Sequence, residues 1–206
     1  KGIRFYPTLL MQLESGVRGG RGYDLRSSAF RMDNKQLDIG AQGDLAADWP
    51  GYHCADYKHQ RVRDERFAII QEVLTKYPVD GIELQMNFWP YYFHPQEIEA
   101  GRQIMNQWIA KVHKAVKKSG ATRELVISIP SSLATCRARG LDPEAWIDQG
   151  IVDVLVAETT ALPKILDPNS RTIGYETWLL KDIHTLVQTA RGSDCRIHAT
   201  LASTLN

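Results

Sequence analysis

The chain is poor in the features that usually betray a chemistry. Its three cysteines, Cys54, Cys136 and Cys195, are widely spaced and form no CxxC pair. That spacing argues against a disulfide framework or a zinc knuckle and leaves room for a single bridge. Six histidines show no HxH, HExxH or HxxxH pattern, so no metal site is expected. Charge of one sign is also missing. A formal net charge of +1, with no Lys/Arg block and no interleaving of basic and aromatic residues, gives no reason to expect a nucleic-acid partner. No apolar run approaches the ~18 residues of a membrane span. There is no GxSxG elbow, and Ser131-Ser132 lacks the flanking glycines of one. A phosphate loop is absent. Gly16, Gly19, Gly20 and Gly22 lie in a stretch that leads to no clear helix, so the dinucleotide fingerprint fails as well. No cofactor is implied.

What is present is ordinary globular composition, 43% hydrophobic and 24% charged over 206 residues, which fits one domain spanning residues 1–206. Apolar runs of strand length recur at Ile3 to Met11, Gly81 to Met86, Leu125 to Ile129, Val152 to Ala157 and Arg196 to Leu201. Segments of helical period lie between them. Arg61 to Tyr77 places Phe67, Ile70, Val73 and Leu74 on one stripe, and Gln96 to Ser119 does the same with Ile104, Met105, Trp108, Ile109, Val112 and Val116. Asp142-Pro143-Glu144 opens a short helix to Gln149, with an N-cap and a proline at the first helical position. Tyr175 to Arg191 is a last helix. Trp108, Trp146 and Trp178 fall at apolar spacing on these helices and read as core.

Strand alternating with helix predicts an α/β fold with a parallel sheet and right-handed crossovers. Without a dinucleotide turn, a (β/α)8 TIM barrel fits better than a doubly wound sheet. About five strands are visible, a partial barrel where a full one typically needs ~250 residues. The chain starts at Lys1 and stops just after a strand-like run, so it reads as an interior piece of a longer polypeptide that carries the remaining strands and any targeting signal. The segment 12–60 breaks the rhythm. Following the first strand, it is expected to lie as a long loop over the active face.

The most informative stretch is Val79-Asp80-Gly81-Ile82-Glu83-Leu84-Gln85-Met86-Asn87-Phe88-Trp89-Pro90-Tyr91-Tyr92-Phe93. Side chains alternate across a strand, so Glu83, Gln85 and Asn87 share one face while Ile82, Leu84 and Met86 share the other. A strand devoted to packing would not carry that polar row. The aromatic cluster that follows is placed where a sugar ring would stack.

Several segments in order resemble the bacterial glycosyl-hydrolase-like TIM-barrel proteins often called family 10-like. They are Asp56-Tyr57-Lys58-His59-Gln60-Arg61, Tyr77-Pro78-Val79-Asp80-Gly81-Ile82-Glu83-Leu84, Gly140-Leu141-Asp142, Trp146-Ile147 and Val152-Asp153. The likeness covers about Asp56 to Val156. It implies a (β/α)8 barrel, a carbohydrate substrate and a secreted or cell-envelope setting. The chain departs from the pattern at Gln85, where the family has Asp, and at Asn87, where it has Arg. An amide does not exchange protons near neutral pH, so catalysis either uses other carboxylates or has been lost.

Glycoside hydrolysis needs two carboxyl groups, one protonated and one ionised. Glu83 and Glu158 are the candidate pair. Glu83 reads as a general acid raised by burial, or as a structural carboxylate held by an arginine such as Arg4. Glu158 ends the strand from Val152, and parity places it with Val154 and Val156. Asp80 and Asp153, at strand beginnings, read as structural. Gln85 and Asn87 are candidate hydrogen-bonding groups for sugar hydroxyls, and Trp89, Tyr91 and Tyr92 a stacking platform. Arg137, with Arg139, is a candidate clamp for an anionic substituent. Tyr57, His59 and Arg63 precede a crossover helix and are expected near the barrel's bottom or side. The expected activity is therefore hydrolysis of a glycosidic bond in a poly- or oligosaccharide. The alternative is a non-catalytic glycan-binding or scaffold barrel of a larger surface protein. The oligomeric state is left open.

Overall fold

The computed structural model describes residues 2–12, 28–158 and 175–200, with the backbone alone for 175–179. Strand β1 (Thr8–Leu10) is followed by the short helix α1 (Ala29–Asp33), helix α2 (Gln60–Lys76) and β2 (Gly81–Gln85). Then come α3 (Ile98–Ser119), β3 (Glu124–Pro130), α4 (Leu133–Ala138), α5 (Pro143–Asp148), β4 (Val154–Glu158), α6 (Tyr175–Thr189) and β5 (Arg196–Ala199). All strands are parallel, and their order in the sheet is their order in the chain. Each crossover therefore steps one strand in the same direction. A doubly wound sheet would reverse direction at a switch point. The architecture is α/β with a five-stranded parallel sheet, compatible with part of a barrel.

Parity sorts the strands into two faces. Ile82, Leu84, Leu125, Ile127, Leu155 and Ala157 are fully buried against the helices, in one core with Ile70 of α2, Met105, Trp108, Ile109, Val112 and Val116 of α3, and Trp146 of α5. Each such side chain contributes roughly 1.5–3 kcal/mol by leaving water. The fit is close. A Cβ on Gly101 of α3 would come within 2.4 Å of the Phe93 ring, so the helix needs glycine there. Asp153 turns to α3, where it meets Lys117 Nζ at 2.5 Å and accepts from Leu125 N at 2.7 Å. Asp80 accepts from Phe5 N at 2.8 Å. Both aspartates at strand beginnings thus hold main-chain N–H groups. The three cysteines are buried and unbridged. Among the described residues no helix is long and apolar enough to cross a membrane.

The first strand and the segment after β3 differ from the sequence expectation. The first strand shrinks to Thr8–Leu10, although Pro7 O and Phe5 O still accept bonds from Glu83 N and Asp80 N. Helix α4 was hidden because its single turn and a half is too short to show a period. It is announced only by Ser132, whose hydroxyl accepts from Thr135 N. The expected end of the last strand at Leu201 lies outside the described residues.

The described part of the 12–60 segment carries a small core of its own. Ile39, Cys54 and Tyr91 are buried together, with Leu45, Trp49 and Trp89 packed against them. An antiparallel bridge joins Asp38 to Ala55, and Arg31 pairs with Asp38 at 2.5 Å, both almost fully buried. Burial raises the Asp38 carboxyl above its ordinary range despite the opposing charge of Arg31. Gln12, fully buried, fastens this segment to the sheet. Its amide donates to Ala55 O at 2.8 Å and to Tyr91 O at 2.5 Å, while its oxygen accepts from Ala55 N.

Candidate active site at the carboxyl end of the sheet

The face opposite the helices is layered by strand register. Thr8, Glu83, Val126, Val154 and Arg196 lie level with one another, and Leu10, Gln85, Ser128, Val156 and His198 form the next level. Pro130 and Glu158 pair at the level above that. Asn87, two residues beyond Gln85, reaches this top level, and Thr200 follows the Ala157–Ala199 pair into it. Below the first level, Glu124 pairs with Gly81 at the sheet's floor.

Glu83 is held by hydroxyls. Thr8 Oγ1 donates to Oε2 at 2.6 Å, and Ser128 Oγ donates to Oε1. Arg4, its candidate structural partner, instead joins Glu124 at 3.2 Å on the floor. Glu124 also accepts from Tyr6 Oη at 2.5 Å and pairs with Arg196 Nη2 at 2.7 Å. Burial works to raise the Glu124 carboxyl. The Tyr6 and Arg196 bonds and the charges of Arg196 and Arg4 outweigh it, and the carboxyl falls below its usual range.

Glu158 closes β4 at the top level. Asn87 Nδ2 donates to its Oε2, and Thr200 Oγ1 donates to Oε1 at 3.2 Å. Its carboxyl is raised above the ordinary range, first by burial and then by the charge of Glu83, against the two hydrogen bonds. Asn87 itself is only 5% exposed, and its Oδ1 is buried without a hydrogen-bond partner. A buried acceptor left unpaired costs about 1–3 kcal/mol. The arrangement thus offers an acid that holds its proton unusually well beside an acceptor waiting for a donor.

The two candidate carboxylates are offset. Glu158 lies four residues, roughly 13 Å, further along the strand direction than Glu83 and two strands, roughly 10 Å, across from it at the backbone. The gap narrows because side chains lean along the strand. Glu83 bonds Ser128, one level above its own, and its charge reaches Glu158. Gln85 lies on the same face between the two levels, half-buried, and its side chain makes no hydrogen bond among the described residues.

The expected aromatic platform needs correction. Tyr91 is buried edge-on against Trp49 with ring centroids 5.1 Å apart. Tyr92 is fully buried, its hydroxyl donating to Met86 O at 3.0 Å and its ring edge-on to Tyr57. Neither can stack on a ligand, because both are spent joining the long loop to the sheet. Phe88 and Trp89 are only partly buried. Trp89 donates from Nε1 to Pro50 O at 3.0 Å and adopts a left-handed φ of 56°, a conformation rarely taken outside glycine and asparagine.

Arg137 is 53% exposed and bonds Glu144 of α5; no bond brings it to the carboxylates. Tyr57, His59 and Arg63 are not at the bottom or side. A crossover helix begins where the previous strand ends, and Tyr57 Oη donates to Met11 O at 2.6 Å just past β1. Their role there is packing and capping: Arg63 bonds the carbonyls of Tyr57 and Lys58. Sequence reading missed Thr8, Ser128 and Thr200. The one available signal was Ser128, a hydroxyl set between isoleucines in Ile127-Ser128-Ile129.

Among the described residues no cluster of three or more His, Cys, Asp or Glu side chains is placed to hold a metal ion. No family model matches this chain, and no curated protein matches it.

Proposed function

We propose that the chain is a glycoside-hydrolase-like barrel domain that cleaves a glycosidic bond of a poly- or oligosaccharide at the carboxyl end of its sheet. The observation that carries this reading is Glu158: a half-buried carboxyl with a raised proton affinity, hydrogen-bonded to an asparagine whose other amide atom is unpaired. A carboxyl whose proton affinity is raised by burial suits protonation of the leaving oxygen. Glu158 therefore takes the acid role first assigned to Glu83. Glu83, deeper on the same face and held by two hydroxyls, is the second carboxylate.

A second reading, a barrel that binds glycan without cleaving it, is favoured by the offset between Glu83 and Glu158 and by Gln85, which stands where the resembled proteins carry Asp. Incubation with a panel of neutral and acidic oligosaccharides, read by reducing-end release and by calorimetry, separates the two. Release that vanishes in Glu158→Gln supports hydrolysis. Heat of binding without release, unchanged in Glu158→Gln, overturns it in favour of the binding barrel. The absence of both sinks both.

A further inference from the structure

One cation at the carboxyl end of the sheet has no anion among the described residues. Arg139 follows α4, beyond the end of β3, and its guanidinium lies 4.2 Å from the centre of the Tyr91 ring. The residue is half-buried, and its Nε is enclosed without a hydrogen-bond partner. The other partly buried arginines are differently placed. Arg31 pairs with Asp38, Arg66 lies beside Glu65, and Arg102 meets Glu99 and Asp142. Arg63 and Arg123 donate to main-chain carbonyls. Arg139 has the face of one tyrosine and no carboxylate among the described residues.

A guanidinium does not lose its proton in a protein, so partial burial leaves a charge whose hydration has been stripped on one side. The tyrosine ring recovers part of that cost. A guanidinium also carries a planar fork of N–H donors, a geometry that matches a carboxylate or a sulfate. Position adds to this. Tyr91 belongs to the loop that starts at Asn87, and α4 starts three residues after Pro130, the partner of Glu158. Arg139 therefore borders the same end of the sheet as the candidate acid.

We propose that Arg139 is an anion-binding subsite at the carboxyl end of the sheet, taking the carboxylate of a uronic acid or the sulfate ester of a glycan. The anion follows from Arg139 alone; that it is borne by a sugar rests on the glycoside reading. Of the two arginines expected to form a clamp, Arg137 and Arg139, the subsite keeps Arg139, because Glu144 already occupies Arg137.

The test is a titration of the full chain, with the arginine Nε–H resonances followed by ¹⁵N NMR at constant ionic strength. Glucuronate, glucose 6-sulfate, glucose and sodium chloride are the probes, and the Arg139 signal is identified by its loss in Arg139→Lys. The expected result is a saturable movement of that signal with glucuronate or glucose 6-sulfate and none with glucose or chloride. Which of the two acids acts distinguishes carboxylate from sulfate. Arg139→Lys keeps the charge but loses the fork, and it should weaken binding about tenfold. No movement with either acid, or equal movement with chloride, overturns the subsite, and the wild-type titration alone decides this if the variant does not fold. If the signal moves and no glycan is cleaved, the subsite stands while the hydrolase reading falls. If neutral glycans are cleaved and the signal stays still, the reverse holds.

Discussion

The two ends of one sheet face treat a glutamate in opposite ways. At the floor, Glu124 is surrounded by Arg4, Arg196 and the Tyr6 hydroxyl, and the donors overcome burial to pull its carboxyl below the ordinary range. At the carboxyl end, Glu158 meets an amide, a hydroxyl and the field of another glutamate, and burial wins. Neither residue is more polar than the other. The difference lies in whether the fold supplies cations. A carboxylate given its counter-charges is a fastener between strands, here β3 with the chain before β1 and with β5. Glu158 meets no cation among the described residues and keeps a raised carboxyl, and perturbed groups of this kind gather at functional sites. In parallel β/α barrels the chemistry gathers at strand ends, which is where the proposed acid lies.

The sharpest way to break the comparison is to neutralise each carboxyl in turn and measure turnover on whichever glycan the panel identifies. Glu158→Gln should lower the rate by about 10²–10⁴-fold, the usual worth of a positioned acid, with the fold intact because the glutamine oxygen still accepts from Asn87 while its amide donates to the Thr200 hydroxyl. Glu124→Gln should change the rate by less than about threefold on the same scale. Equal losses would mean that the floor and the carboxyl end are not functionally distinct.

Serine 128 links the two ends. Fully buried, it donates to Glu83 between the floor and the top level. Ser128→Ala removes a donor from a partly buried carboxylate and should cost about 1–3 kcal/mol of stability, read by urea unfolding at pH 7. A cost near zero would show that Glu83 draws its support from Thr8 alone.

How much of this was readable beforehand follows from what each residue depends on. The polar row Glu83, Gln85 and Asn87 was legible because parity within one strand is a local property. So were the helix-facing residues of α3, whose stripe is long enough to show its period. The fate of Tyr91 and Tyr92 was not, because an aromatic that stacks on a ligand and one that packs under a loop have the same sequence. What decides between them is the position of residues 28–56, a long-range fact. Glu124 drew no reading from the sequence, since its partners lie 120 residues before it and 72 residues after it in the chain. Partnership across the sheet is set by register, and no single segment contains it.

A subtler contrast lies in the pH dependence of stability, and the two glutamates should give slopes of opposite sign. The folded Glu124 carboxyl is lowered, so its contribution is present above the unfolded pKa and disappears as pH falls through the folded value. Glu124→Gln should then be less stable than wild type by about 1 kcal/mol at pH 7, the order of one charge-assisted bond on a partly exposed network, with the gap closing in acid. The folded Glu158 carboxyl is raised, so its contribution is present below the unfolded pKa and is lost as pH rises through the folded value. Glu158→Gln should therefore be more stable than wild type at pH 7 and no more stable in acid. Thermal unfolding of the two variants across pH 3–8, the range that brackets ordinary glutamate titration, checks both signs. Parallel curves would remove the electrostatic distinction between floor and carboxyl end even if activity kept it.

The smallest effect belongs to Arg137, and its smallness is informative. Its partner Glu144 is on the neighbouring helix and its side chain is 53% exposed, so water and salt screen the pair and side-chain entropy opposes it. Arg137→Ala should change stability by no more than about 0.5 kcal/mol and leave turnover unchanged. Arg139 stands two residues away on the same segment, yet it is half-buried, lies over the Tyr91 ring and meets no carboxylate among the described residues. Removing its fork should cost binding of acidic glycans without touching neutral ones. If Arg137→Ala instead weakened acidic substrates while Arg139→Lys did not, the exposed arginine would be the one that meets the anion. Burial without a counter-ion would then have misidentified the residue that recognises charge.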